Sequence, residues 1–348
     1  MDLFELEERA RELIPSGVYD YAASGAEDEI TLRDNLAAWT RLRLRPRILR
    51  GAADPGTGVS VLGTPLAAPI MVAPSARHSL IHPEGERATA RGTAAAGSLM
   101  VVSTFATTSL EDVAAAAEGA PLWFQLYITR DRGWTAELVA RAAAAGYRAI
   151  CLTADLPVAG LRARAMKNPF VPPPEATFAN AGPAASAVTA WQIEVGGGFD
   201  PGLSIKDLEW LRSITSLPLV VKGVLRADDA VRCADAGAAG VVVSNHGGRQ
   251  LDTAIATAVA LPEVVGAVGE RIEVYVDGGI RRGNDVLKAL ALGARAVLVG
   301  RPPLWGLATG GAIGVTGVLE LLRSELVRSM SLCGARSLDE LGPDLIAS

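Results

Sequence analysis

Cysteine, histidine and aromatic residues are scarce in this chain. Of its 348 residues only three are cysteine, at Cys151, Cys233 and Cys333, three are histidine, and aromatics make up 5%. The cysteines are widely spaced in apolar surroundings, a pattern that disfavours a disulfide framework or zinc cluster and suits reduced core residues. Basic residues do not outnumber acidic ones, and the formal net charge of -5 argues against a nucleic-acid surface. The one basic run, RLRLRPRILR at 41–50, alternates Arg with Leu at its start, as a strand with one wet face would. The first residues, MDLFELEERARELI, place acidic and apolar groups at helical spacing, unlike a secretion leader. No stretch of about 18 uncharged apolar residues is expected to span a bilayer. These absences place the protein in the cytoplasm, with peripheral membrane contact left open.

Apolar residues form 49% of the chain and charged residues 20%, a balance that suits a soluble globular enzyme. Such a length ordinarily suggests two domains, but α/β barrels run long as one unit. Short β-branched runs recur along the sequence at 69–74, 99–104, 122–128, 149–155, 217–223, 240–246, 273–279 and 296–301. Between them lie Ala- and Leu-rich segments of helical period, most of them closed by Gly. Strand–helix alternation calls for a parallel sheet with helices outside it, and eight units in succession favour closure into a (β/α)8 TIM barrel over an open doubly wound sheet. The expectation is a single domain over 1–348. Residues 1–65 form an N-terminal extension of helices with a small hairpin that plugs the barrel base, and 66–348 form the barrel. A Pro- and Ala-rich insert between the fourth and fifth strands is expected as a lid loop over about 165–204.

Each strand is apolar until its end, where polar residues appear: Ser75, Ser103, Gln125 with Tyr127, Thr153 with Asp155, Lys222, Ser244 with His246, Asp277 and Arg301. In a barrel these ends share one mouth, where barrel enzymes place their chemistry. Serines and threonines mark strand ends in many proteins. Lys222, Asp155 and His246 are harder to explain that way, because charged groups ending an apolar strand must be desolvated or paired. In SNHGGRQLD at 244–252, two glycines between His246 and Arg249 let the backbone turn tightly, so that a base and a cation address one small anion. Asp155 is a natural orienting carboxylate for the imidazole. DGGIRRG at 277–283 and VGRP at 299–302 offer backbone N–H groups with Arg281 and Arg301 for a phosphate, a feature shared by many barrels.

The chain also resembles the FMN-dependent 2-hydroxy acid oxidases and dehydrogenases, a family that includes glycolate oxidase, lactate oxidase and mandelate dehydrogenase. The resemblance runs from VYDYAASGAED at 18–28 through HPEGE at 82–86, FQLY at 124–127 and LTAD at 152–155 to SNHGGRQLD, DGGIRRG and the closing GRP. It implies FMN as cofactor, an (S)-2-hydroxy carboxylate as substrate, and a homo-oligomer, tetramer or octamer. By the same resemblance, His246 is the active-site base and Asp155 its partner. Arg249, Tyr21 and Arg162 hold the substrate carboxylate, and Tyr127 bonds the hydroxyl being oxidised. Lys222 sits by the flavin N1 and C2 carbonyl. Ser103, Gln125, Thr153 and Ser244 belong to the flavin site, with Ser75 and Ala76 lining the ring. Asp277, Gly279, Arg281, Gly300 and Arg301 hold the ribityl phosphate.

Three departures bear on substrate and acceptor. Phe105 stands where many members have Trp, and Val158 and Ala159 stand where glycolate oxidases have larger residues, so a medium or bulky aliphatic or aromatic side chain is expected. Ala76 matches the oxidases better than the membrane-linked mandelate dehydrogenases, which favours O2 as acceptor, giving hydrogen peroxide, over a quinone or carrier protein. Arg77 and His78 replace the Gly, Ala, Met or Gln usual there. Arg77 is expected to point into solvent, to contact the substrate or to block the site. Two rivals stand beside this reading: a Schiff-base aldolase using Lys222, and a catalytically inert barrel that binds FMN or phosphate.

Overall fold

The computed structural model describes residues 2–173, 176–180 and 199–347. Eight parallel strands close a barrel. We number them β1 (Ile70–Val72), β2 (Met100–Val102), β3 (Leu122–Leu126), β4 (Ala149–Thr153), β5 (Leu219–Val224), β6 (Gly240–Val243), β7 (Glu273–Val276) and β8 (Ala296–Val299). Neighbours in sequence are neighbours in the sheet, and β8 returns to β1 through the pairs Val297–Ile70 and Val299–Val72. The strands are shorter than the apolar runs suggest, because their last residues leave the ladder to form the mouth.

Period-2 alternation sorts each strand between two cores. On β2, Val101 points into the barrel with Met71, Trp123, Cys151 and Tyr275. Met100 and Val102 point outward against the helices. The hairpin Val59–Val61 and Thr64–Leu66 pushes Val61 and Leu66 into the inner cluster, closing the base. All three cysteines are buried and free. Of the basic run, only Arg43–Leu44 forms a strand, pairing with Ile346–Ala347. Residues 45–50 are not strand. Of the expected lid, a short helix Ala163–Lys167 is described, while 174–175 and 181–198 lie outside the described residues.

One expectation fails. Residues 302–319 carry no charge, and the helix Arg301–Cys333 has the length and composition of a membrane span. It is nonetheless a barrel helix, with Trp305, Val315 and Leu322 fully buried. It breaks at Gly310 and Gly311 and packs on the helices Leu3–Leu13, Gly85–Ala95 and Gly283–Ala291. Neighbours cover one face of the run, and Ile313 on the other is exposed.

That packing sets a test. Gly92 lies where a Cβ would collide with the Ala312 carbonyl and stand 2.8 Å from Val315 Cβ. Gly92→Ala should force the two helices apart and destabilise the protein by about 1–3 kcal/mol. Denaturant unfolding of the variant checks this, and an unchanged midpoint would contradict the packing.

Candidate active site

The strand ends converge as their sequence order implies. β4 and β5 pair Thr153 with Lys222, and β5 then bulges between Lys222 and Val224. At the bulge Gly223 takes φ 109°, and a Cβ there would stand 2.5 Å from Asp155 Cβ. Glycine thus makes room for the carboxylate on the neighbouring strand end.

Asp155 Oδ1 lies 2.9 Å from His246 Nδ1. The His246 backbone adopts φ 58° and its N–H donates to Ser244 Oγ at 3.0 Å. Burial pushes the imidazole pKa down, Asp155 opposes this, and Lys222 and Arg249 add to the decrease, leaving it below the ordinary histidine value. Burial alone would raise the Asp155 pKa, but His246 and Lys222 hold it below the usual carboxylate range. The resting pair is therefore a neutral imidazole beside an ionised carboxylate. Lys222 is buried, donates to Ser244 Oγ at 2.9 Å and pairs with Asp277 at 3.2 Å. Burial disfavours its charge, yet Asp277 and Asp155 outweigh that and raise its pKa. A lysine kept protonated in this way is poorly suited to Schiff-base chemistry.

Arg249 and Arg301 meet the end of the helix Ser16–Ala23. Arg249 Nη1 donates to the carbonyls of Tyr21 at 2.9 Å and Ser24 at 2.9 Å. Arg301 donates to Ala22, Gly247 and Ser24 at 3.1–3.2 Å. Tyr21 is ringed by guanidinium groups, with the Cζ atoms of Arg162, Arg249 and Arg77 at 5.5, 5.6 and 5.8 Å from its centroid. Tyr127 stacks on Phe105 at 5.2 Å and meets Phe199 at 5.1 Å.

These groups surround one cavity, which encloses about 1350 Å³ including its open mouth. His246, Arg249, Tyr21, Arg162 and Tyr127 line it. So do Ser75, Ala76, Ser103, Gln125, Thr153 and Lys222. Asp277, Gly279, Arg281, Gly300 and Arg301 belong to the same lining. Two expected residues stand one layer behind: Asp155 holds His246, and Ser244 receives Lys222 and the His246 N–H. Val158 is 63% exposed and off the cavity wall, so the roomier-wall argument fails for it. Leu156, Phe105 and Phe199 form the apolar wall instead. Arg77 does not reach solvent, being 2% exposed and part of the lining. His78 is buried, with Nδ1 2.9 Å from Thr89 Oγ1 and Nε2 3.2 Å from Ser75 Oγ.

Sequence reasoning missed Gln250 and Gly160. Gln250 Nε2 donates to the Asp155 carbonyl at 2.9 Å, and its Oε1 accepts from Gly160 N at 3.0 Å. A Cβ on Gly160 would stand 2.6 Å from the Gln250 carbonyl. Gln250 thus ties the Asp155 loop to the His246 loop. It lies inside SNHGGRQLD, but no local pattern reveals a partner so distant in sequence. Phe178 and Phe199 belong to the insert, whose composition gave no sign of an inward face.

The cavity suits a flavin mononucleotide. Gln125 Oε1 accepts from Ser103 and Thr104, while its buried Nε2 and Asp277 Oδ1 find no hydrogen-bond partner among the described residues. Buried amide and carboxylate atoms left so are matched by a polar ligand edge. Arg281 is buried and Arg301 half-buried, and among the described residues both side chains donate to carbonyls. Burial, then Arg249 and Arg281, pulls the Arg301 pKa down to about 9, still charged at neutral pH, so a phosphate between them relieves the repulsion. Gly278 and Gly279 hold φ 87° and 81°, and a Cβ on Gly279 would collide with the Asn35 carbonyl, so glycine lets this turn pack on the helix Ile30–Arg41.

Fold and site together define a flavin-dependent barrel oxidoreductase. The model for FMN-dependent dehydrogenases matches residues 10–348. An L-lactate oxidase of Nostoc sp. is 50% identical over 98% of this chain and 96% of its own. Glycolate oxidase of Spinacia oleracea is 47% identical over 99% and 95%. Among solved structures, mandelate oxidase with (S)-4-hydroxymandelic acid superposes with a TM-score of 0.93 at 43% identity, covering 99% of this chain and 98% of that one. The chain belongs to the FMN-dependent dehydrogenase family, and FMN is its cofactor.

Replacing Arg301 with Met should weaken FMN retention on the order of tenfold or more, since a charge-assisted contact to phosphate is lost. Free flavin measured after ultrafiltration of the purified variant tests this. Retention equal to the parent protein would remove Arg301 from the phosphate site.

Proposed function

We propose that the protein oxidises (S)-2-hydroxy carboxylates with a medium or bulky side chain to 2-oxo acids, with O2 as the acceptor giving hydrogen peroxide. The observation that carries this reading is the His246–Asp155 pair at 2.9 Å opening on the same cavity as Arg249, Arg162 and Tyr127. The relatives named as oxidases of lactate, glycolate and mandelate support it. So do Phe105, Leu156 and Phe199, whose apolar wall suits a side chain larger than hydrogen.

FMN, when bound, supplies the two-electron acceptor that the side chains lack. The chain's own residues do the rest. Arg249 and Arg162 hold the substrate carboxylate, with charge-assisted bonds that fix C2 within reach. Tyr127 bonds the 2-hydroxyl. His246, neutral at rest, takes a proton at Nε2 because Nδ1 faces Asp155, and the carboxylate then stabilises the imidazolium. Leu156, Phe105 and Phe199 exclude water, which strengthens each of these interactions.

Anaerobic mixing with S and R 2-hydroxy acids, followed by air, tests the whole reading. Bleaching by S acids and recovery of colour in air are expected. A flavin that stays oxidised with every acid would overturn the function, and bleached flavin indifferent to air would overturn the acceptor. His246→Ala should stay yellow and lose bleaching.

A pH profile adds a second test. The base must be deprotonated, and its pKa lies below the ordinary value of about 6.5, so kcat/KM should fall only on the acid side of that value. Asp155→Asn removes the anion that raises the His246 pKa. Its acid limb should move further down in pH while the plateau drops by about 100-fold. A limb unmoved by that substitution would separate the profile from this histidine.

A further inference from the structure

We infer that Arg132 is a positioning residue for substrate choice: from outside the cavity it holds the Phe199 ring against Tyr127, giving 2-hydroxy acids with a bulky side chain a fixed aromatic wall. This rests on the proposed 2-hydroxy acid oxidation. Phe199 is buried and lines the cavity, with its centroid 5.1 Å from Tyr127 and 5.9 Å from Phe105. It stands in the insert after β4, and its backbone meets Thr129 in an isolated antiparallel bridge. A lone bridge is a weak anchor, because ordering a residue costs about as much as one hydrogen bond returns.

Arg132 reinforces that anchor. It begins the helix Arg132–Ala144 and is not among the described lining residues of the cavity. Its Nη1 donates to the Thr129 carbonyl at 2.7 Å, on one side of the bridge. Its Nη2 donates to Asp200 at 2.7 Å, next to Phe199 on the other side, and to Asp207 at 2.5 Å. Asp207 in turn accepts from the Ser204 N–H at 2.7 Å at the start of the helix Ile205–Ile214, whose Leu208 and Leu211 are buried in the outer core. Arg132 Cζ lies 5.5 Å from the Trp210 centroid. One guanidinium thus ties both partners of the bridge to a packed helix. Two of its three acceptors are carboxylates, so these bonds are charge-assisted, and a planar fork sets their directions as an ammonium does not.

The test titrates 2-oxo acids into oxidised holoenzyme and reads perturbation of the flavin spectrum, with phenylglyoxylate as the bulky ligand and glyoxylate as the small one. Arg132→Met should lower the preference for phenylglyoxylate by about tenfold, the scale on which an apolar wall discriminates. Glyoxylate binding and FMN retention should stay at the parent values, and Arg132→Lys should restore part of the ratio. Phe199→Ala should lose the same preference, and in that background Arg132→Met should change the ratio by about twofold or less, because the two residues act as a unit. An unchanged ratio in Arg132→Met, or effects of the two substitutions that simply add, overturns the inference. Should Arg132→Met fail to fold, Asp200→Asn removes one arm of the clamp and decides it by the same ratio and the same cycle. If no 2-oxo acid perturbs the flavin of the parent protein, the proposed function falls and the inference with it. A preference indifferent to Arg132 overturns the inference alone.

Discussion

The last carbonyls of the helix Ser16–Ala23 are closed by two arginines from the far end of the chain, and the barrel mouth depends on that closure. A helix end leaves carbonyl groups without intrahelical partners and carries partial negative charge. Arg249 from the loop after β6 and Arg301 from the end of β8 supply the donors. One arrangement thereby fixes the N-terminal extension on the barrel, seats Tyr21 beneath Arg249, and holds two like charges together in a half-buried place. Carbonyl dipoles soften that repulsion without neutralising it. An anion is the natural completion of such a site, and phosphate and carboxylate are the anions that the proposed chemistry brings.

The base is built with the same economy of backbone. The bulge at Gly223 lets Asp155 stand where a side chain would otherwise be, and Gln250 holds the loop carrying Asp155 to the loop carrying His246. Ser244 Oγ accepts from Lys222 and from the His246 N–H. Lysine, base and carboxylate are therefore coupled through one hydroxyl and one strand edge. Their charges set one another: Lys222 and Arg249 help keep the imidazole neutral, and the imidazole and Lys222 help keep Asp155 ionised.

Much of this was legible in the sequence because strand order and strand ends are local properties. β-branched runs marked β1 to β8, and the polar residue closing each run marked the mouth, since a parallel barrel turns all those ends to one face. What was hidden depends on contacts distant in the chain. In the sequence Arg77 is open between solvent, substrate contact and a blocked site, and only its backbone turn and the ring of Phe178 draw it inside. Val158 reads as a wall residue by the family resemblance, yet the chain turns it outward and leaves Leu156 on the wall. The helix Arg301–Cys333 shows the same limit in reverse. An uncharged run looks the same whether lipid or other helices cover it, and the glycines at its break become meaningful only beside their neighbours.

Two left-handed side-chain-bearing residues and a cluster of arginines meet at the mouth. His246 and Arg77, both without the freedom of glycine, hold left-handed backbones at the mouth, each at a cost of order 1–2 kcal/mol. Arg281, buried, and Arg301, half-buried, donate to carbonyls among the described residues. The inner cluster of Met71, Trp123, Cys151 and Tyr275, plugged from below by Val61 and Leu66, is a hydrophobic core without a charged residue. The barrel base thus stabilises the fold and the mouth spends part of that stability on a preorganised site. A ligand that neutralises the arginines binds the folded state alone and returns free energy to it by mass action. Cofactor occupancy and fold stability are for this reason one linked equilibrium, joined at the carbonyls where the N-terminal helix ends.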